Sequence, residues 1–308
     1  MLEYISRRLL LIIPVLLGVL LVTFLLMFVI PGDPITVMMG QRANDKVIAR
    51  IRAELSLDDP WYIQFYRYIG RTLKGDLGRS YITHRSVSAD LINKLPNTAK
   101  LASSAMLIST LFGVLFGILA AVYHNTWIDR GIMLFALFFI SIPVFTYGLI
   151  LIFFFGMKLR WLPISGMGDG SLKYLLLPAI TLGTRGIAFI ARMTRSIMLE
   201  IVRQDYIRTA RSKGVREGAV IVKHALKNVM IPVVTVIGLD FASYLNGSVL
   251  TETIFGWPGF GRYIVQAINK RDFQVIAGSV LIGAVIFVFV NLMVDLSYGY
   301  LDPRIRYE

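Results

Sequence analysis

Apolar and polar positions alternate along this chain in long blocks. Six stretches stay apolar for about 20 residues or more, and polar segments marked by Gly, Pro and Arg separate them. A helix of that length crosses roughly 30 Å of hydrocarbon. The first stretch covers 9–30, with Arg7 and Arg8 before it and the breaker Pro31-Gly32-Asp33-Pro34 after it. The second, 99–122, carries Gly113 and Gly117 four residues apart, a spacing that lets two helices approach closely. The third, 131–157, is interrupted by Pro143, and the remaining three cover 174–194, 229–250 and 276–298. The pattern predicts an all-α, polytopic membrane protein with six transmembrane helices.

The longest polar block, 31–97, divides into pieces that look helical and amphipathic: 46–55, 61–73 and 75–81. In the second piece Trp61, Tyr62, Phe65, Tyr66 and Tyr68 recur at helical spacing, which suits membrane-surface packing better than a dock for another protein, though both readings stay open. The short connections set the orientation. The N-terminus, 123–130, 192–228 and the tail hold about 14 Lys and Arg, against about 6 in 158–173 and 251–275. Basic residues concentrate on the cytoplasmic side. Both termini and 192–228 are therefore expected inside and 31–97 outside.

Composition agrees with this picture: 56% of the 308 residues are hydrophobic and 17% charged. The net charge of +13 sits in loops beside apolar spans and does not indicate nucleic acid. The absence of cysteine excludes disulfides, thiolate catalysis and Cys-ligated metal. The first apolar stretch is too long for a secretory leader and lacks a cleavage site, so a retained helix is expected. His84, His124 and His224 fall in separate loops, away from Ser103, Ser104, Ser109 and Ser141 in the spans. Neither a zinc site nor an intramembrane nucleophile–base pair is expected, and His224 suits a structural hydrogen bond. There is no Gly-Lys dipeptide, hence no phosphate-binding P-loop.

Two polar features inside this frame suggest chemistry. Arg185 and Asp240 lie near the middle of the fourth and fifth spans, where each costs about 2.5–3.5 kcal/mol. Such groups face a bundle interior or a wet cavity. A polar lining for a zwitterionic solute, a locking ion pair and an ion-coupling site of a secondary transporter all fit. Glu252, at the outer end of the fifth span, is a further lining candidate, while Asp295 and Asp302 suit helix-end anchors. The second feature is 204–228, QDYIRTARSKGVREGAVIVKHALKN. Asp205 to Lys213 predicts a short helix, Gly214 its left-handed stop, and Glu217 to Lys227 a second helix. Small Thr209 and Ala210, ringed by Arg208, Arg211 and Lys213, suit docking into a groove on a soluble partner, and the same charge suits anionic headgroups.

Asp205-Tyr206-Ile207-Arg208-Thr209-Ala210-Arg211-Ser212-Lys213-Gly214, continued by His224 to Asn228 and Pro232, resembles the EAA loop of ABC importer permeases, in the form seen in bacterial dipeptide and oligopeptide permeases. The resemblance extends to Pro31-Gly32-Asp33-Pro34, Leu57-Asp58-Asp59-Pro60, Gly75 to Ser80, Ile142-Pro143, Ala191 to Arg195, Glu252 to Gly261, Arg271-Asp272 and Leu301 to Tyr307, so it covers essentially the whole chain. Two positions depart from the pattern. Arg208 stands where the general motif has an acidic residue. Gln274 stands where proline is often found, which would alter one external turn.

The resemblance implies a type I ABC importer permease fold in a bacterial inner membrane. It divides the chain into a cytoplasmic N-terminus with the first helix (1–30), an external helical segment (31–97), a five-helix permease core (98–300) with a coupling loop at 195–228, and a cytoplasmic tail (301–308). The implied partners are a homologous second permease, two cytoplasmic ATP-binding subunits and an external solute-binding protein. This chain would bind no cofactor and would not be an enzyme, since ATP and Mg belong to the partner subunits. Asp205, Tyr206, Arg208, Thr209, Ala210, Arg211, Lys213 and Gly214 would couple to the ATPases. Phe255, Trp257, Pro258, Gly259 and Gly261 would form an external gate or a binding-protein contact, with an interfacial aromatic anchor as the alternative. Di- or oligopeptides are the implied cargo, and relatives of the family carry nickel chelates, glutathione or oligosaccharides.

Overall fold

A computed structural model describes residues 2–29 and 59–301. Among the described residues the secondary structure is helical, apart from one isolated bridge between Arg79 and Ser86. The elements are α1 (Leu2–Val29), α2 (Trp61–Leu73), α3 (Val87–Val122), α4 (Trp127–Ser141), α5 (Val144–Leu151, running into a π-helical stretch, Ile152–Lys158) and α6 (Leu172–Ile201). Then come α7 (Asp205–Ser212), α8 (Leu226–Gly247, entered through a π-helical stretch, Val220–Ala225), α9 (Val249–Ile254), α10 (Phe260–Lys270) and α11 (Phe273–Leu301).

Helices α3, α6, α8 (with its lead-in) and α11 are each long and apolar enough to cross a membrane, and the bent pair α4–α5 adds a fifth crossing if taken as one span. At 1.5 Å per residue the 28 residues of α1 also exceed the hydrocarbon thickness. The centre of the bundle is the crossing of α3 with α6, the most extensive helix pair. A Cβ added at Gly113 would stand 2.7 Å from Ile190 Cβ, and one at Gly117 2.7 Å from the Ala191 carbonyl. The four-residue glycine spacing therefore does bring two backbones together. Helix α8 packs on α6, α3 and α11, and α1 closes the far side against α11.

Several expectations change. Residues 75–81 are a turn, not a helix: Gly75 and Gly78 take positive φ, and the Ser88 hydroxyl donates to the Gly75 carbonyl at 2.6 Å. The second span starts at Val87 rather than 99, inside the segment assigned to the exterior. Ser86 stands at its N-cap, Asp90 in its first turn, and neither this opening nor Pro96 ends it, because Val87 and Leu91 are fully buried by protein. The interruption at Pro143 is a bend of 104° between α4 and α5, much sharper than a kinked single span. The aromatic stripe of α2 is divided. Phe65 and Tyr68 pack on Phe24, and the Tyr68 and Thr23 hydroxyls lie 3.1 Å apart, while Trp61, Tyr62 and Tyr66 stay exposed. The 46–55 piece, the Asp295 side chain and Asp302 lie outside the description.

Candidate functional site: a charged cavity and the loop beneath it

The fourth and fifth predicted spans become α6 and α8, and they hold Arg185 and Asp240 where the sequence put them. Both line a cavity of about 490 Å³, with Ile140, Val144, Phe189, Arg192 and Ser243 among its walls. No ion pair links Arg185 to Asp240 among the described residues, and Asp240 Oδ2 is buried without a protein hydrogen-bond partner. Buried polar atoms are otherwise nearly always paired, so this oxygen is available to water or a ligand. A second cavity of about 270 Å³ adjoins the first, shares Arg185, and is lined by Ile142, Pro143, Tyr147 and Thr184. The break between α4 and α5 thus faces polar space. Irregular backbone at membrane depth is tolerated where it lines a cavity or is covered by protein.

Below this, α7 stands alone between the ends of α6 and α8. It docks on its own chain: Ile207 is fully buried and Ala210 nearly so, in a cluster with Met198, Val220, Ala225 and Val229. Gly214 (φ 77) ends it in the left-handed region; the Gly214 N–H donates to the Arg211 carbonyl and the Val215 N–H to that of Ala210, at 2.9 and 3.3 Å. Asn228 donates to the Tyr206 hydroxyl at 2.7 Å, tying α7 to α8. Arg211 makes a two-pronged pair with Glu217 at 3.1 and 2.6 Å, and this hydrogen-bonded carboxylate holds its guanidinium above the usual range. Ala210 therefore points inward, and Arg211 is paired within the chain while its side chain stays solvent-accessible. Asp205, Arg208, Thr209 and Lys213 face outward and exposed, with half-exposed Tyr206 beside them.

At the opposite end, Glu252 is fully buried and lines neither of these cavities. Its Oε1 accepts from the hydroxyls of Thr98 (2.6 Å) and Ser248 (2.8 Å), and Oε2 from the Arg262 N–H (2.9 Å). Phe255, Trp257 and Phe260 are also fully buried, so they form neither an exposed lid nor an interfacial anchor. The Trp257 indole donates to the Asn97 carbonyl at 2.9 Å, and the Asn97 amide returns a bond to Pro258 at 3.0 Å. Gly259 packs against the Glu252 carboxylate and Gly261 against Val249, leaving no room for a side chain at either. Nearby, burial and the adjoining Asp90 push the Tyr263 phenol up. Gln274, the departure from the proline pattern, donates to the Leu77 carbonyl at 2.6 Å and so joins the start of α11 to the 75–81 turn.

The geometry is that of a helical bundle with a charged interior and a docking-sized helix at one end, and sequence comparison says which bundle. Residues 113–307 match the family described as binding-protein-dependent transport system inner membrane component, and residues 1–102 match its N-terminal companion. The chain belongs to this family. A dipeptide transport system permease protein DppB of Alkalihalophilus pseudofirmus is 44% identical to it, over 100% of both chains. A di/tripeptide transport system permease protein DppB of Pseudomonas aeruginosa and a glutathione transport system permease protein GsiC of Salmonella typhi are each 42% identical, again over 100% of both chains. Among solved structures, the MetNI methionine ABC transporter in inward facing conformations superposes with TM-score 0.57 at 18% identity, covering 69% of this chain and 96% of that one. An amino acid ABC transporter gives 0.56 at 17% identity, covering 69% and 94%. The expected family and permease fold are borne out, and the permease is not itself an enzyme.

One lining residue of the permease was missed by sequence reasoning. Arg192 follows Arg185 by two helical turns on the same face of α6 and reaches the same cavity, with its guanidinium 6.0 Å from the Phe189 ring. The seven-residue spacing was readable, but the charge pattern counts Arg192 with the basic connection 192–228, whereas α6 runs on to Ile201.

Proposed function

We propose that the permease forms one wall of the path by which an ATP-driven importer moves di- or oligopeptides across a bacterial inner membrane, with both termini and α7 on the cytoplasmic side. The supporting observation is the 490 Å³ cavity, which carries two arginines and an aspartate oxygen without a protein partner beside a broken helix. Arg185 would take the peptide carboxylate and Asp240 its ammonium group. The dipeptide and di/tripeptide relatives support this cargo, and the excess of loop Lys and Arg around α7 supports the orientation.

A homologous second permease would complete the path, an external binding protein would deliver cargo, and two ATPases carrying ATP and Mg would drive it. Helix α7 is joined to α6 by three residues, 202–204, and to α8 by the Tyr206–Asn228 bond. Moving α7 therefore changes the spacing of the two helices that hold Arg185 and Asp240. ATP and substrate can then bias one two-state element from opposite ends.

Asp240→Asn tests the cargo site in vesicles holding the assembled complex. Loss of a charge-assisted hydrogen bond of about 1.5–3 kcal/mol predicts roughly ten- to hundredfold weaker uptake of free dipeptides. N-acetylated peptides, which lack the ammonium group, should be transported poorly by both forms. Unchanged uptake of several free peptides would remove Asp240 from the path. Glutathione is a second reading, favoured by the two arginines that face one aspartate in the cavity and by the glutathione relatives.

A further inference from the structure

Helix α4 is weakly embedded: Asp129 and Ala136 are its only buried residues. Yet its last residues border the cavities: Ile140 lines both and Ser141 the second. Phe135 touches Phe116 of α3 and Phe139 touches Tyr147 of α5, and at the other end a charged contact ties α4 to α6. The Asp129 carboxylate, itself buried, receives Arg195 Nε on Oδ1 at 2.5 Å and Nη2 on Oδ2 at 2.8 Å. The Asn125 N–H adds a bond at 2.9 Å, and His124 Nδ1 lies 3.2 Å from Oδ2. This is the two-pronged arginine–carboxylate geometry, which fixes orientation as well as distance. Arg195 sits on α6, ten residues after Arg185 and ten before Asp205 of α7.

We propose that Asp129 and Arg195 form a permanent clamp that makes α4 travel with the lower half of α6, so that displacement of α7 reaches the break at Ile142–Pro143. They are positioning residues: neither lines the charged cavity nor lies on α7. Without the clamp, α6 would move while α4 lagged, and the cavity wall would not follow. The inference rests on the proposed coupling through α7.

The test uses the complete complex in proteoliposomes, with ATP hydrolysis and peptide uptake measured in the same sample. Asp129→Asn should keep hydrolysis but lower uptake per ATP at least about tenfold. Arg195→Lys, which keeps the charge but loses the fork, should fall between. Because the chain has no cysteine, an Asp129→Cys, Arg195→Cys double variant can be joined by a thiol cross-linker about as long as the lost pair. Cross-linking should restore uptake per ATP. Normal uptake per ATP in Asp129→Asn, or a cross-linked complex that hydrolyses ATP without transport, overturns the clamp. If Asp129→Asn does not assemble, the cross-linked double variant decides alone by the same criterion. Gly214→Val run in parallel separates the two ideas: if it transports normally the α7 coupling fails, and if it uncouples while Asp129→Asn does not, only the clamp fails.

Discussion

Residues 204–228 and 252–261 look alike on paper: each is a glycine-punctuated interruption beside an apolar span. Folded, they are opposites. In 252–261 the aromatic rings of Phe255, Trp257 and Phe260 fill the interior and the single carboxylate, Glu252, is enclosed by three donors. In 204–228 two apolar side chains, Ile207 and Ala210, anchor α7, and its charged residues lie exposed. The first arrangement spends its polar groups on holding helices together; the second leaves them for something outside the chain. Gly259 and Gly261 mark close packing in the first, while Gly256 there and Gly214 in the second are both left-handed helix stops.

The largest expected effect therefore belongs to the buried end. Glu252→Ala would strand the Arg262 N–H and the Thr98 and Ser248 hydroxyls, at about 1–3 kcal/mol for each buried group left unpaired. Trp257→Ala would add a cavity, typically about 3–5 kcal/mol. Both variants should lose most of their membrane-inserted yield and melt well below the parent in detergent. A Trp257→Ala complex with normal melting but impaired uptake would make this region a gate and erase the contrast.

The next effect is smaller in stability and larger in function. At Gly214 the backbone is left-handed and a Cβ would meet nothing within 4 Å. The cost of Gly214→Val is then backbone strain, about 1–2 kcal/mol, concentrated at the end of α7. Normal insertion with uptake reduced at least about tenfold is expected, whereas Gly214→Asn, which tolerates that conformation, should retain most uptake. Equal losses in both variants would place the defect in a contact at the glycine rather than in the angle of α7.

How far the sequence led depends on what covers each residue. The spans were legible because hydropathy alone decides them, and Gly113 and Gly117 because close helix approach demands small residues. The cavity pair was legible because a charge at mid-span has few places to go. The burial of Trp257 was not, since aromatic residues among glycines describe an exposed lid and a packed knot equally well, and only Asn97 and Thr98, some 160 residues away, distinguish them. The start of α3 was hidden for the same reason: it lies in the polar block 31–97, but Val87 and Leu91 are sealed by residues as distant as Leu20, Phe260 and Leu281. Pro143 marked where the third span breaks, while its 104° angle follows from packing of α4 and α5 on α6.

The smallest predicted effect sharpens the exposed end. Arg211 and Glu217 are both solvent-accessible, so their pair contributes below about 1 kcal/mol and weakens with salt. If Arg211 is used only within the chain, Arg211→Ala and Glu217→Ala should each lower uptake less than about threefold, by similar amounts, through a looser seat for α7. If Arg211 instead meets an acidic partner, the two variants separate: Arg211→Ala weakens association with the ATPase subunits, and Glu217→Ala, which frees the cation, strengthens it. Co-purification of the ATPases at low and high salt reads the sign directly. Arg208→Ala supplies the reference, because Arg208 is exposed and pairs loosely, at 3.7 Å, with an exposed Asp205. Loss of ATPase association in Arg208→Ala but not in Arg211→Ala is the expected result, and the reverse order would show that the internal pair opens when the partner docks.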